Sequence, residues 1–447
     1  MNIKVVGKGV VSLLTKRFMG PFWFRRKWLA KTQWFSADQL RDLQLDLLKQ
    51  LISHVYDSVP YYRSFMKKEK MVTGDICSLE DIQKFPIMSK EDVHKAGREL
   101  VSTKFRKFLL HTAYTGGTTG PRLPLWRDFG SIGNEHAFVR RQFDWAGIGI
   151  RDRCAYMTWR TVTSPNTMNK EPYVYDPLMR ELILSTFHLS ADMADIYVDA
   201  MERYKVKALL AYPSAALVLA RELLIKGRRL PLRSVLTTSE TLGPIEKEQI
   251  CQAFQCPVYD FYGSAERVCY INTCEKLFYH IVPEYGLTEL IPAAAPNEGC
   301  CRIIATGFWS LAMPLIRYDT GDMVIPAYQP CECGRAFEVV ERIVGRENKS
   351  IITASGRNIG LTAMARLLKN VLLRTNKLPI CQSQVLLEDS GAVCFEYVPS
   401  KDFKQEDLNI LNEILQQELP EDLQMKINSV EKITRTISGK AISLAKG

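Results

Sequence analysis

The sequence predicts an α/β fold, in which a large layered α/β domain is followed by a small α+β domain. Apolar runs rich in β-branched and aromatic residues alternate with helical patterns through the middle of the chain, the order that lays helices on a mostly parallel sheet. From Gly345 the texture changes to short strand, turn and helix signals filling about 100 residues, an ordinary domain size. The 447 residues, 46% hydrophobic and 24% charged with 26 Gly and 21 Pro, provide a large core and exclude a disordered, collagen-like or repeat chain.

The elements follow in order. Ser36-Ala-Asp-Gln39 is a capping-box pattern, and Leu40, Leu43, Leu47, Leu51 and Val55 recur at helical spacing until Pro60. This predicts one amphipathic helix within a mainly helical lead-in over residues 1–105. Strands are expected at Arg153–Trp159, Lys207–Pro213, Ser234–Ser239 and Pro257–Tyr262, with a helix from Ala215 to Lys226. In the small domain a helical stretch around Leu361 to Leu373 precedes a strand at Gln384–Leu387. Asp389-Ser-Gly391 turns into a strand at Val393–Val398, and a helix at Glu406–Leu419 is stopped by Pro420 before a last strand at Met425–Val430.

The net charge of +10 is concentrated at the start. Lys4, Lys8, Lys16, Arg17, Arg25, Arg26, Lys27 and Lys31 precede the first acidic residue, Asp38, and are interleaved with Phe18, Phe22, Trp23, Phe24, Trp28 and Trp34. Such an arm either lies on an anionic membrane surface or packs as a helix on the protein's own body. No small-residue cleavage site accompanies it, and no apolar run is long enough to span a bilayer. The 12 cysteines are too sparse for a disulfide scaffold, so a cytoplasmic setting is expected, with Cys77, Cys154, Cys251, Cys256, Cys381 and Cys394 buried as small hydrophobes.

Tyr114-Thr-Gly-Gly-Thr-Thr-Gly-Pro121 follows the apolar Phe108-Leu-Leu110. Its glycines let a loop approach a phosphate, and its hydroxyls and backbone N–H groups can donate to phosphate oxygens. It lacks the Gly-Lys-Ser/Thr ending of a Walker loop. Tyr262-Gly-Ser-Ala-Glu266 sets an aromatic face beside a carboxylate, Arg317-Tyr-Asp-Thr-Gly-Asp322 holds a second carboxylate, and Thr436-Ile-Ser-Gly-Lys440 puts a lysine on a flexible glycine. Each alone reads as a turn with solvated charges; their order together strengthens the phosphate-binding reading.

With Val59-Pro-Tyr-Tyr62, Phe85-Pro-Ile-Met-Ser-Lys90, Thr238-Ser-Glu-Thr241, Pro314-Leu-Ile-Arg317, Cys331-Glu-Cys-Gly-Arg335 and Gly345-Arg-Glu-Asn348 added, the chain resembles the adenylate-forming acyl and aryl ligases. Within them it is similar to the phenylacetate-CoA ligase-like branch, which includes capsular-polysaccharide-biosynthesis homologues and the deazaflavin-adenylylating synthetases. The resemblance implies an adenylation domain over residues 1–344 and a small mobile lid domain over 345–447. It implies a phosphate cradle of Thr115, Gly116, Gly117, Thr118, Thr119 and Gly120. The rest of the nucleotide site would be Ser239, Glu240, Thr241, Tyr262 against adenine, Gly263, Ser264, Asp322 on the ribose hydroxyls and Arg346 at the hinge. Glu266 would hold Mg2+, an ion that takes oxygen ligands, and Lys440 would neutralise charge developing on the α-phosphate. Thr115 and Thr118 join these two as the catalytic set. The sequence departs from the family at Ala265, where a threonine is common, at Asn348, usually Asp or Lys, and after the phosphate loop, where Arg122 stands near the place of a lysine.

Cys331-x-Cys333 resembles half of a zinc knuckle, and Cys274-x5-His280 can supply the other pair of a closed structural Zn2+ site, a cluster that occurs in relatives of this branch. Cys269 and the Cys300-Cys301 pair are competing ligands. His54, His111, His136 and His188 read as packing or hydrogen-bonding residues, with His136 alone placed to touch an acyl carboxylate. The activity implied is ATP-dependent activation of a small carboxylic acid, then acyl transfer to CoA, an amino sugar or a carrier, in cell-surface polysaccharide biosynthesis. The alternatives are an adenylyltransferase that leaves AMP on its substrate, and a decayed ligase serving as a membrane or nucleic-acid binding protein. The retained Glu266, Asp322, Arg346 and Lys440 speak against the decayed form and against a nucleic-acid partner.

Overall fold

The computed structural model describes residues 20–115, 123–158, 172–294, 299–346, 351–352, 358–359, 378–387, 393–418 and 425–433. Four helices lead: α1 Gly20–Thr32, α2 Ala37–Ser58, α3 Pro60–Lys68 and α4 Lys90–Ala96. The hairpin β1 His111–Tyr114 and β2 Pro124–Arg127 runs into α5 Phe129–Trp145. Then come β3 Cys154–Met157, β4 Tyr173–Asp176, β5 Glu181–Leu184, α6 Ala191–Arg203, β6 Ala208–Ala211, α7 Pro213–Ile225, β7 Ser234–Thr238, α8 Pro244–Phe254 and β8 Val258–Gly263. Antiparallel strands β9 Tyr270–Thr273, β10 Tyr279–Ile281, β11 Gly286–Pro292, β12 Cys301–Gly307, β13 Tyr318–Pro326 and β14 Val339–Arg346 complete the large sheet.

That sheet has twelve strands in the order β11-β12-β13-β14-β10-β9-β8-β7-β6-β3-β5-β4. β5, β3, β6, β7 and β8 are mutually parallel, so their carboxyl ends share one edge. One face is covered by α6, α7 and α8 around Tyr197, Leu219 and Phe254, the other by α1 and α5 around Phe22, Leu29 and Phe138. α2 seals a third core against the antiparallel strands. Its capping box is present as expected, with the Ser36 side chain accepting from the Gln39 N–H and the Gln39 side chain from the Ser36 N–H. Leu48 and Ile52, fully buried, extend the apolar stripe beyond the residues whose spacing predicted it, while Leu43 and Leu47 are half-buried.

β15 Ile351–Ile352 pairs with β16 Asn358–Ile359 just past β14. The small domain's sheet is β17 Ile380–Leu387, β18 Val393–Pro399 and β19 Met425–Ser429, with α9 Gln405–Glu418 burying Leu411, Ile414 and Leu415. The helical stretch expected around Leu361 to Leu373 and the Asp389–Gly391 turn lie outside the described residues.

Burial bears on two expectations. Cys77 is exposed and Cys251 half-buried, unlike Cys154, Cys256, Cys381 and Cys394. Cys77 sits in a loop turn, its thiol donating to the Gly74 carbonyl, so no apolar layer covers it. Over α1 the basic arm packs on the body, while Lys4, Lys8, Lys16, Arg17 and Phe18 lie outside the described residues. Phe22 and Leu29 are buried against α5, and the Arg25 guanidinium lies 4.5 Å from the Trp28 ring centroid and 3.3 Å from that of Trp309. Trp23 and Phe24 remain exposed on its outer side. Among the described residues no helix is long and apolar enough to cross a membrane.

Candidate active site

A flat sheet would hold β8 and β13, four strand steps apart, about 19 Å from each other. Instead the sheet curls until the Tyr262 phenol donates a 2.9 Å hydrogen bond to Asp322 Oδ2. Burial, reinforced by that carboxylate, raises the Tyr262 phenol well above its ordinary range, so it stays a donor. Beyond β8 the Tyr318 hydroxyl donates to Glu266 Oε1 at 2.8 Å, and Arg127 Nη2 donates to the Ala265 carbonyl at 2.7 Å. Ala265 therefore lacks a side-chain hydroxyl but has its backbone held by the β1–β2 hairpin. Ser264 Oγ is buried with no hydrogen-bond partner among the described residues.

The loop after β7 closes the other side. Ser239 has φ +72°, a left-handed conformation that costs a non-glycine residue energy and marks a position under constraint. Glu240 accepts from the Ser214 N–H at 3.0 Å, a carboxylate at the amino end of α7 where the helix dipole favours it. Thr241 meets the end of β14. A Cβ on Gly345, whose φ is +102°, would stand 3.4 Å from Thr241 Oγ1. Asp322 faces Arg346 in the β13–β14 register. The expected residues Thr241, Tyr262, Asp322 and the Arg346 backbone are thus gathered at one edge.

Thr115 stands at the base of the glycine-rich segment, bonded to Leu123. Its N–H donates to the Leu123 carbonyl at 3.1 Å, and its Oγ1 accepts from the Leu123 N–H at 3.0 Å, leaving the hydroxyl hydrogen to give. Gly116, Gly117, Thr118, Thr119, Gly120, Arg122, the Arg346 side chain, Asn348 and Lys440 lie outside the described residues.

Two early motifs prove to be supports for the carboxylates. Met88 exchanges backbone hydrogen bonds with Arg317 and Asp319, both at 2.9 Å, so Phe85-Pro-Ile-Met88 runs beside the start of β13. Arg317, at φ +48°, is 9% exposed and grips Glu289 through two hydrogen bonds of 2.9 and 2.8 Å, with a third to the Phe85 carbonyl at 2.8 Å. The Tyr62 hydroxyl accepts from the Ile316 N–H at 2.9 Å.

The four candidate sulfur and nitrogen ligands meet. One ligand atom from each of Cys274, His280, Cys331 and Cys333 lies within 4.8 Å of all the others. Cys274 Sγ is 3.5 Å from Cys331 Sγ, near the roughly 3.7 Å separating two thiolates bound tetrahedrally at about 2.3 Å from zinc. Cys333 Sγ is 3.5 Å from His280 Nε2. Burial pushes His280 down to about 4, keeping the ring neutral. Arg335 straps the two cysteine loops together through a bidentate pair with Glu275 at 2.7 and 2.8 Å. It stacks 4.0 Å from the Trp145 centroid and 4.6 Å from that of Trp34. The rival ligands fall elsewhere: Cys269 accepts from Thr288, and Cys300 packs with Met323.

Sequence reasoning missed Asp260. It is 4% exposed and accepts from Thr237 at 2.6 Å and Tyr279 at 2.8 Å, and burial raises it to about 6. A carboxylate two residues before Tyr262 in an apolar strand was the available signal. It also missed the buried Arg141–Glu284 pair at 2.8 Å, to which Thr32 of α1 adds a hydrogen bond.

Residues 351–445 match the family model of the CapK C-terminal domain. Protein CapK of Staphylococcus aureus is 22% identical over 376 residues, 82% of each chain. A phenylacetate-coenzyme A ligase of Aromatoleum evansii is 41% identical over 339 residues, 71% of this chain and 72% of the relative. Among solved structures, a 2-hydroxyisobutyryl-CoA ligase in the postadenylation state shares the fold with a TM-score of 0.71 at 17% identity, over 93% of this chain and 91% of that one. Identity at this level over this share of the chain, together with the converging motifs, means that the protein belongs to the phenylacetate-CoA ligase-like branch of the adenylate-forming ligases and is an enzyme of that class.

Proposed function

We propose that the enzyme joins a small carboxylic acid to the α-phosphate of ATP, releasing pyrophosphate, and then passes the acyl group to CoA. Two-step activation is chemically sensible because AMP leaves far more readily than oxide. The observation that carries the reading is the meeting of Tyr262, Asp322 and Glu266 at the carboxyl edge of the parallel strands, beside the unpartnered Ser264 hydroxyl. Asp322 takes the ribose hydroxyls, and Tyr262, tied to it, lies against adenine. The Thr115 hydroxyl donates to phosphate oxygens with Gly116, Gly117, Thr118, Thr119 and Gly120. Glu266, oriented by Tyr318, would hold magnesium, which when bound would offset phosphate charge. Arg346 and Lys440 come from the hinge and the lid, with the domain division at residues 344 and 345. ATP–pyrophosphate exchange dependent on added acid tests the reading.

The acceptor is CoA by family default, with an amino sugar or carrier in cell-surface polysaccharide biosynthesis as the finer alternative. Cys274, His280, Cys331 and Cys333 fit a structural zinc with no open position. We place the enzyme in the cytoplasm, where its 12 free thiols stay reduced. The outer side of α1, with exposed Trp23, Phe24, Lys27 and Lys31, rests on anionic lipid.

A further inference from the structure

Three buried side-chain hydroxyls, those of Thr186, Thr158 and Ser214, have no hydrogen-bond partner among the described residues. Thr158 and Thr186 are each 1% exposed. All three follow the carboxyl ends of adjacent strands. β5, β3 and β6 are neighbours, and the residues stand two, one and three positions past their last strand residues, Leu184, Met157 and Ala211. At about 4.8 Å per strand, the three strand ends span a front about 10 Å wide. Ser264, likewise unpartnered, follows β8 at the same edge. At the amino ends of these parallel strands, Ser234 is the one described hydroxyl in this state.

This edge is where an open α/β sheet binds its ligand, and where Ser239, Tyr262 and Glu266 stand. A buried hydroxyl without a partner destabilises the free protein, so a row of them at the ligand edge is a set of unused donors and acceptors. Resting on the acid-activating reading above, we propose that the acid carries a hydroxyl or amino group near its carboxylate and is not a plain hydrocarbon acid. A Ser or Thr hydroxyl both donates and accepts, so it serves either group. A hydrocarbon acid would leave the row unpaired in a dry site, and sites built to bond a substrate hydroxyl discriminate strongly against analogues lacking it. The polarity continues beside the row, where Ser185 Oγ lies 2.7 Å from His188 Nδ1.

The test uses the full chain and ATP–pyrophosphate exchange with matched acids: propionate, lactate and alanine; butyrate and 3-hydroxybutyrate; phenylacetate and mandelate. The hydroxy or amino member of at least one set should lead in kcat/KM by about 100-fold or more. Thr158→Val and Thr186→Val should shrink that ratio about tenfold, mainly through KM for the polar acid, while raising the Tm of the free protein, since each replaces an unpaired hydroxyl by a methyl. Preference for the hydrocarbon member, an unchanged ratio in both variants, or a lowered Tm in both overturns the inference. Exchange with no acid at all, ATP still binding, counts against the acid-activating reading and takes this inference with it; selectivity running the wrong way counts against the inference alone.

Discussion

Tyr318, 2% exposed at the first position of β13, donates a 2.8 Å hydrogen bond to Oε1 of Glu266 in the turn after β8. One carboxylate oxygen is thereby fixed by the protein. Glu266→Gln should lower acid-dependent ATP–pyrophosphate exchange by roughly 100-fold or more, because a neutral amide cannot hold the cation that offsets phosphate charge. Tyr318→Phe keeps the carboxylate but frees its orientation, and should cost about tenfold in exchange and about 1 kcal/mol in urea unfolding. Equal exchange in wild type and Glu266→Gln removes Glu266 from the mechanism.

Purified protein should contain about one zinc per chain, and Cys331→Ser with Cys333→Ser should lose it. A closed four-ligand site leaves no place for substrate, so the loss should appear first as a lowered Tm, before any change in KM for ATP. Metal analysis that finds no zinc in protein purified without chelator contradicts the site.

Asp260 gives a pH dependence of stability with a definite sign. Its folded pKa, raised by burial to about 6, lies above the unfolded value of about 3.9. The folded state therefore binds its proton more tightly. Stability from this group is greatest below about pH 4 and declines as pH rises to about 6, by a total on the order of 3 kcal/mol. Asp260→Asn, neutral throughout, should flatten this decline in urea unfolding measured at pH 4.5 and 7.5. A wild type that loses no stability relative to the variant over that interval refutes the buried-acid assignment.

Some of this was readable from the chain. Ser36 and Gln39 announce a helix start because capping is local, and Cys274, His280, Cys331 and Cys333 were legible as ligand types, with the family resemblance favouring them over Cys269 and the Cys300-Cys301 pair. Asp260 was not readable, since its partners Thr237 and Tyr279 belong to other strands of a sheet whose order the sequence does not print. The same holds for Arg317 with Glu289, and for Thr32 reaching Glu284 across 252 residues. Tyr262 and Asp322 were legible as types, but their contact depends on the curl of the whole sheet.

α1 is predicted to favour anionic surfaces. Its buried side already holds Phe22 and Leu29, so binding should depend on the outer Trp23, Phe24, Lys27 and Lys31. Co-sedimentation with vesicles containing phosphatidylglycerol should exceed that with phosphatidylcholine alone and fall with salt, and Lys27→Glu should weaken it about tenfold. Lys67→Glu on α3, the same charge change elsewhere, should matter less; equal losses from the two would reduce the effect to net charge.

The account's central claim, that the chain forms an acyl-adenylate, is tested most directly by ATP–pyrophosphate exchange across a panel of carboxylic acids, in wild type and in Lys440→Ala. The account predicts exchange only when an acid is present, suppressed by Lys440→Ala while acyl transfer from a preformed acyl-adenylate is largely spared, because charge on the α-phosphate develops in the first step alone. Exchange with no acid, or AMP found covalently retained on the substrate in place of release, would contradict it.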